Sequence, residues 1–227
     1  MDVRPTGPVP HRWAEAIDWS PQIAYALGLM ATYGNLATRR SQLSLLSKDL
    51  EQVEMLRRCL RLNSRIFRVR SSTGSLYKVQ WRDLILYDWF LSVGLTPAKS
   101  RTLGPLTVPD KLYADFFRGC IDGDGCVLVY TDRHHATKNP SYVYERLYMS
   151  LVSASYSFLE WVRASTQKLV GVSGAVHKST GKSRRPIWAL RYAKREWLRL
   201  LDWMYYGPDI PCLTRKRLKA EKFLSPS

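Results

Sequence analysis

The chain has 227 residues, with 35 Lys plus Arg against 19 Asp plus Glu, a formal net charge of +16 at pH 7. Hydrophobic residues make up 45%, with 8 Trp and 13 Tyr, so there is apolar surface for one large or two small cores, and the composition excludes an intrinsically disordered chain. A balance this basic points to a polyanionic partner, nucleic acid first; the bland alternative is a generic basic or ribosome-associated protein.

In chain order, the opening MDVRPTGPVPHRW lacks the apolar core of a secretory signal, and no apolar run reaches membrane-spanning length. The expectation is an intracellular protein, in cytoplasm or an organelle matrix, not secreted and without a membrane partner. Ser20 before Pro21 reads as an N-cap and first helical residue, opening a helix to about Thr32 that stops at Gly34. The strand QLSLLS follows, and Ser47 is expected to cap an amphipathic helix with Leu50, Val53, Leu56 and Leu60 on one face. The S-T-G at 72–74 reads as a hairpin turn between two strands, and RDLILYDWFLSVGL as a closing helix. Asp110 is the expected cap of a helix from about Lys111 to Gly123. The strand LYMSLVS, a helix capped by Ser153 or Ser155, a second S-T-G turn and the helix REWLRLLDWMYY then repeat the pattern. The basic TRKRLKAEK near the end reads either as a helix against a nucleic-acid backbone or as a solvated end. Cysteines at 59, 120, 126 and 212 form no C-x-x-C pair, so no zinc knuckle is written here.

The order of elements is a repeat. Gly28 and Gly119 are 91 apart, as are Gly34 and Gly125; LSLLS matches MSLVS at offset 106, VRSSTG matches VHKSTG at 107, Trp81 matches Tyr192 at 111, and LTPAK matches LTRKR at 118. Offsets that only grow indicate two copies of one helix–two strands–helix–two strands–helix unit, over 1–104 and 105–227, with insertions in the second. The largest insertion, between Gly125 and Met149, contains TDRHHATKNPSYVYER, read either as a solvated loop or as an arm along a ligand.

Glycine inside a helix costs roughly 1 kcal/mol against alanine, a cost that close backbone approach explains. If the copies pair about a pseudo-twofold axis, the helices pack at Gly28 and Gly119, and Asp124 meets its counterpart Tyr33 at their C-terminal ends. A helix C-terminus is already partially negative, so carboxylate there calls for a cation. Mg²⁺, a hard ion taking carboxylate, carbonyl and water oxygens, fits that demand, and Mg²⁺ in a basic groove is apparatus for phosphodiester hydrolysis.

At these residues the sequence resembles the LAGLIDADG homing endonucleases, single-chain two-motif type. FRGCIDGDG at 117–125 keeps Gly119, Ile121, Asp122, Asp124 and Gly125 of the motif, and ALGLMATYG at 26–34 keeps Gly28, Leu29 and Gly34. The resemblance implies an α+β fold, two pseudo-symmetric αββαββα units whose antiparallel sheets form a saddle over DNA. It implies a monomer that hydrolyses both strands of double-stranded DNA at a long asymmetric target, using Mg²⁺ or another divalent cation. By resemblance, Asp124 is the metal-binding carboxylate, the carbonyls of Gly123 and Thr32 are backbone ligands, and Asp122 is an acid that is usually not a ligand. Lys48 and Lys194 are catalytic candidates beside Gln80, Arg82 and Arg191. Tyr33 departs from the pattern: a phenol is a poor ligand for a hard metal at neutral pH, which halves a paired site. The outcomes left open are nicking, slow cleavage, or binding alone, as in an intron RNA maturase; a transcriptional regulator on the same scaffold is a further alternative.

Sequence reading would lie on the sheets, where residues facing DNA alternate with core-facing ones. Arg68, Arg70, Lys78, Gln80, Arg82, Lys178, Lys182, Arg184, Arg185 and Arg191 are the expected groove or phosphate contacts. The alternation in SRIFRVRSS is imperfect and assigns no face.

Overall fold

Local chemistry starts the first unit as expected. In the computed structural model, which describes residues 17–38, 41–72, 74–133, 141–179 and 186–224, the Ser20 hydroxyl accepts from the Ile23 amide at 3.2 Å. Helix α1 (Pro21–Thr32) carries no charged side chain and is buried from Ala24 to Ala31. Strands β1 (Gly34–Leu36) and β2 (Gln42–Ser47), helix α2 (Leu50–Cys59), strands β3 (Ile66–Ser71) and β4 (Gly74–Arg82) and helix α3 (Leu84–Ser92) complete it. The second unit repeats the order with α4 (Tyr113–Asp124), β5 (Gly125–Asp132), β6 (Tyr144–Ser153), α5 (Tyr156–Val170), β7 (Ala175–Lys178), β8 (Trp188–Tyr192) and α6 (Lys194–Met204), and α7 (Thr214–Leu224) follows. The fold is α+β: two four-stranded antiparallel sheets, ordered β1-β2-β4-β3 and β5-β6-β8-β7, and seven helices among the described residues. None of these helices is long and apolar enough to cross a membrane.

Strand register tests the repeat residue by residue. Leu43 pairs with Trp81 and Met149 with Tyr192, so the offsets of 106 and 111 hold. Ile66 pairs with Val79 and Val176 with Leu190, which makes Ile66, not Val69, the counterpart of Val176. The S-T-G resemblance is therefore three residues out of step, because a short common string matched hairpins of different length. The insertion after Gly125 lengthens a hairpin: β5 and β6 pair from Gly125↔Leu151 to Asp132↔Tyr144, whereas β1 and β2 pair only from Gly34↔Leu45 to Leu36↔Leu43.

Two expected caps are corrected. Asp49, not Ser47, caps α2, accepting from the Glu51 amide; the Ser47 hydroxyl is taken up by the Asp49 amide and by Gln52. Asp110 does not cap α4, because a 3-10 turn over Asp110–Leu112 separates them, and its carboxylate instead pairs with Lys168 at 2.6 Å. Ser155 caps α5 as expected. On α2, Val53 and Leu56 are fully buried, whereas Leu50 is exposed at the first turn.

Both sheets turn their buried face to the helices, and one hydrophobic core runs through both units by way of α1 and α4. These two helices pack at their glycines. A Cβ on Gly28 would lie 2.2 Å from the Phe116 carbonyl oxygen, and one on Gly119 would lie 2.2 Å from that of Tyr25. Backbone contact of that kind is the reason glycine is tolerated inside both helices.

Candidate nuclease site at the paired helix ends

The packing of α1 on α4 brings their C-terminal ends together. A Cβ on Gly123 would fall 1.9 Å from the Thr32 hydroxyl, so the last turns touch. Asp124, half-buried, ends α4, and Tyr33, 41% exposed, follows α1 as its cap. Two helix C-termini side by side concentrate partial negative charge. Two lysines answer it. The Lys99 ammonium donates to the Gly34 carbonyl. That of Lys216, on α7, donates to the carbonyls of Gly125 at 2.8 Å, Asp122 at 3.0 Å and Ile121. Gly34 and Gly125 are repeat partners, so Lys99 and Lys216 are counterparts, at offset 117. Matching LTPAK to LTRKR at 118 set Lys99 against Arg217 and hid the equivalence, although a basic residue near the end of both segments was the visible signal.

Titration follows from this geometry. Burial pushes the Asp124 carboxyl up to about 6, against the pull of the Lys99 and Lys216 ammonium groups. Burial lowers both lysines to about 8, opposed by Asp124 at Lys99 and first by Asp122 at Lys216.

Asp122 faces the other way and is fully buried. One carboxylate oxygen accepts from the Tyr25 hydroxyl at 2.8 Å and from the Leu213 amide at 2.8 Å, and burial raises its carboxyl to about 6. The Asp122 carbonyl accepts from Gln52 Nε2 at 3.1 Å. Arg118, equally buried, pairs with Asp115 and donates to the carbonyls of Met204 and Pro211, with its guanidinium 5.6 Å from the Tyr206 ring centre. Arg118 and Asp122 thereby fix the connector from α6 to α7, which delivers Lys216.

Among the described residues no group of three His, Cys, Asp or Glu side chains forms a metal cluster. The donors at the helix ends are one carboxylate, Asp124, with backbone carbonyls of the two touching last turns beside it. That set suits one hard ion that keeps part of its water shell, not two ions each with its own carboxylate.

The outward sheet face begins two residues beyond Tyr33 and Asp124, at Asn35 and Cys126. Residues directly opposite in an antiparallel pair share a face. Asn35, Ser44 and Gln80 form one row, and Cys126, Ser150 and Arg191 form its counterpart. Gln80 and Arg191 are thus equivalent positions. Lys78 and Arg82 share the face of Gln80 by alternation along β4. Arg68 pairs with Tyr77, Arg70 with Ser75 and Lys178 with Trp188, which puts these three on the opposite face of edge strands. Phe67 and Val69, opposite Lys78 and Leu76, take the outward positions on β3. Lys48 is exposed beyond the end of β2 beside Asp49 and Arg215, and Lys194 is exposed at the first turn of α6. Lys182, Arg184 and Arg185 lie outside the described residues.

No protein-family profile and no curated protein sequence matches the chain. Solved structures do. The homing endonuclease I-DmoI in complex with DNA and Ca is similar at 16% identity and TM-score 0.57, over 89% of this chain and 97% of that one. The homing endonuclease I-WcaI bound to its DNA recognition sequence is similar at 10% identity and TM-score 0.56, over 96% and 94%. Full-length DUF199/WhiA from Thermatoga maritima is similar at 10% identity and TM-score 0.56; the match covers 94% of this chain but 63% of that one. The N-terminal LAGLIDADG domain of DUF199/WhiA is similar at 12% identity and TM-score 0.54, over 88% of this chain and 89% of that one. The chain has the LAGLIDADG fold, with both repeats in one polypeptide.

Proposed function

We propose that the chain is a site-specific double-stranded DNA endonuclease acting as a monomer on a long asymmetric target inside the cell, and that it nicks one strand preferentially. The observation that carries this reading is the single carboxylate, Asp124, at the joined helix ends, flanked by two ammonium groups and bordered by two outward sheet faces. The solved neighbours that hold recognition DNA with Mg, Mn or Ca support it.

In this reading Asp124, with the carbonyls of Gly123 and Thr32, holds one divalent cation, Mg²⁺ in the cell, which when bound polarises a phosphate and activates water. The rest belongs to the chain. Lys216 spends its three N–H donors on three carbonyls, so it holds the end of α4 in place. Lys99, with one hydrogen bond among the described residues, has donors left for a phosphate oxygen or for the leaving oxygen. Lys78, Gln80, Arg82 and Arg191 lie on the DNA-facing side. The face opposite carries Arg68, Arg70 and Lys178, whose reach is to flanking phosphates. Tyr33 leaves the second half of the site without a hard ligand.

The test uses supercoiled plasmid carrying a duplex selected from a random library. The parent is expected to stop at the nicked circle, Tyr33→Asp to go on to linear product, and Asp124→Asn to do neither while still binding. Equal linearisation by parent and Tyr33→Asp overturns the nicking assignment. Tyr33 also supports a second reading, binding without cleavage as in an intron RNA maturase; duplex binding with no product from either protein, and tighter binding to structured intron RNA, would establish it.

A further inference from the structure

The two outward faces share a backbone plan and differ in chemistry next to the helix ends. Where the first sheet has Gln42 beside Ala37, whose amide donates to the Gln42 carbonyl at 3.0 Å, the second has Tyr148, repeat partner of Gln42, opposite Leu128, repeat partner of Ala37. Leu128 is 51% exposed, Tyr148 44% and Tyr130 41%, and the two tyrosine rings stack within 8° of parallel at 5.9 Å. With Cys126, Ser150 and Arg191 they line a cavity of about 260 Å³. Such an apolar concavity is out of place on a strongly basic protein's polar face unless something apolar fills it. Its position narrows the occupant. Cys126 lies two residues beyond Asp124, so the cavity opens beside the candidate site, and Arg191 supplies the cation that a nucleic acid requires at its rim. The apolar group that duplex DNA presents in the major groove is the C5-methyl of thymine, and Arg reads guanine O6 and N7 beside it.

Resting on the DNA-binding reading above, we propose that this cavity is a specificity subsite for a thymine methyl in the half-site under the second sheet, with Arg191 reading a neighbouring guanine. The first sheet, with Asn35, Gln42 and Gln80, reads its half-site by hydrogen bonds instead. Uracil lacks the methyl, so the same subsite favours DNA over RNA.

The experiment selects a bound duplex with the full chain in EDTA, then replaces each thymine in turn by deoxyuridine, which removes the methyl and nothing else. One or two replacements, confined to one half-site, are expected to weaken binding about fourfold each, the value of burying one methyl. In Leu128→Ala and Tyr148→Ala the thymine-to-uracil ratio at those positions should fall to about one, with the thermal midpoint unchanged because both side chains are exposed; Gln42→Ala should leave the ratio intact. Tight duplex binding with no deoxyuridine effect, a selected target without thymine in that half-site, or a penalty that survives both alanine variants overturns the subsite and leaves the DNA reading standing. A chain that selects no duplex overturns both.

Discussion

Helices α1 and α4 have the same length, crossing and glycine, yet one carries no charged side chain and the other buries Asp115, Arg118 and Asp122. At the matching positions α1 has Ala24, Leu27 and Ala31. The difference lies in what each helix must organise. Around α1 the following connector needs only Leu95 and its neighbours packed in the core. Around α4 the connector from Tyr205 to Leu213 is tied down through Arg118 and Asp122, and it ends in the helix carrying Lys216. A repeated backbone is thus compatible with one-sided chemistry: symmetry places the helix ends, and buried charge in one copy alone sets the position of a lysine.

The largest effect that would break this comparison is at Arg118. Arg118→Leu copies Leu27 of α1, yet it leaves the buried Asp115 carboxylate without a cation, held only by the Tyr206 hydroxyl at 2.8 Å, and should cost about 3 kcal/mol in urea unfolding. Adding Asp115→Ala, which copies Ala24, should recover part of that loss; a double variant as unstable as the sum of the two singles would mean the pair is not coupled.

Next come the glycines, which should be equally intolerant. Gly28→Ala and Gly119→Ala each drive a methyl into opposing backbone and are expected to lose about 3 kcal/mol, whereas Gly104→Ala, with its nearest neighbour at 3.9 Å, should be close to neutral. A mild effect at either helix glycine would show that the crossing can spread.

The lysines sharpen the comparison further. Lys216→Met leaves three carbonyls without their donor and should destabilise the fold by about 1 kcal/mol more than Lys99→Met, which leaves one. Cleavage should rank the other way, with Lys99→Met slowing nicking more than its stability loss explains. Equal effects on both measures would erase the division of labour.

The smallest effect is the pH profile. Asp122 and Asp124 titrate near 6 when folded, above their unfolded value, so the native state binds protons more tightly and stability falls as pH rises from about 4 to 6. Lys99 and Lys216 titrate near 8, below their unfolded value, so stability rises from about 8 toward 10.5. Asp124→Asn should make the acid limb shallower, leaving the share of Asp122. A flat profile in the parent protein would show that burial at the site is relieved by water.

Much of this was legible in the sequence because it was written twice. The two glycine pairs and the strand offsets recur, and recurrence fixes register where a single motif does not. What escaped was written once or out of step. Lys216 lies in a basic run that reads as a solvated helix, and its tie to three carbonyls depends on how Arg118 and Asp122 route the chain more than 80 residues downstream. Arg68 and Arg70 look like groove readers by composition, but strand pairing, invisible in the sequence, turns them to the opposite face. The apolar cavity between Leu128 and Tyr148 arises from two strands whose separate patterns gave no sign of it.

The first turn of α7 rests on the opposite half of the molecule. Glu51, near the start of α2, accepts from the Thr214 amide at 2.9 Å and from its hydroxyl, and Asp49 pairs with Arg215 at 2.7 Å. The repeats are therefore not interchangeable modules. A chimera that joins the first half to another protein's second half must bring an α7 whose opening residues suit Asp49 and Glu51, or it will assemble with a displaced lysine beside an otherwise intact pair of helices. The place to cut and rejoin this protein is set less by the linker near residue 104 than by these two acids.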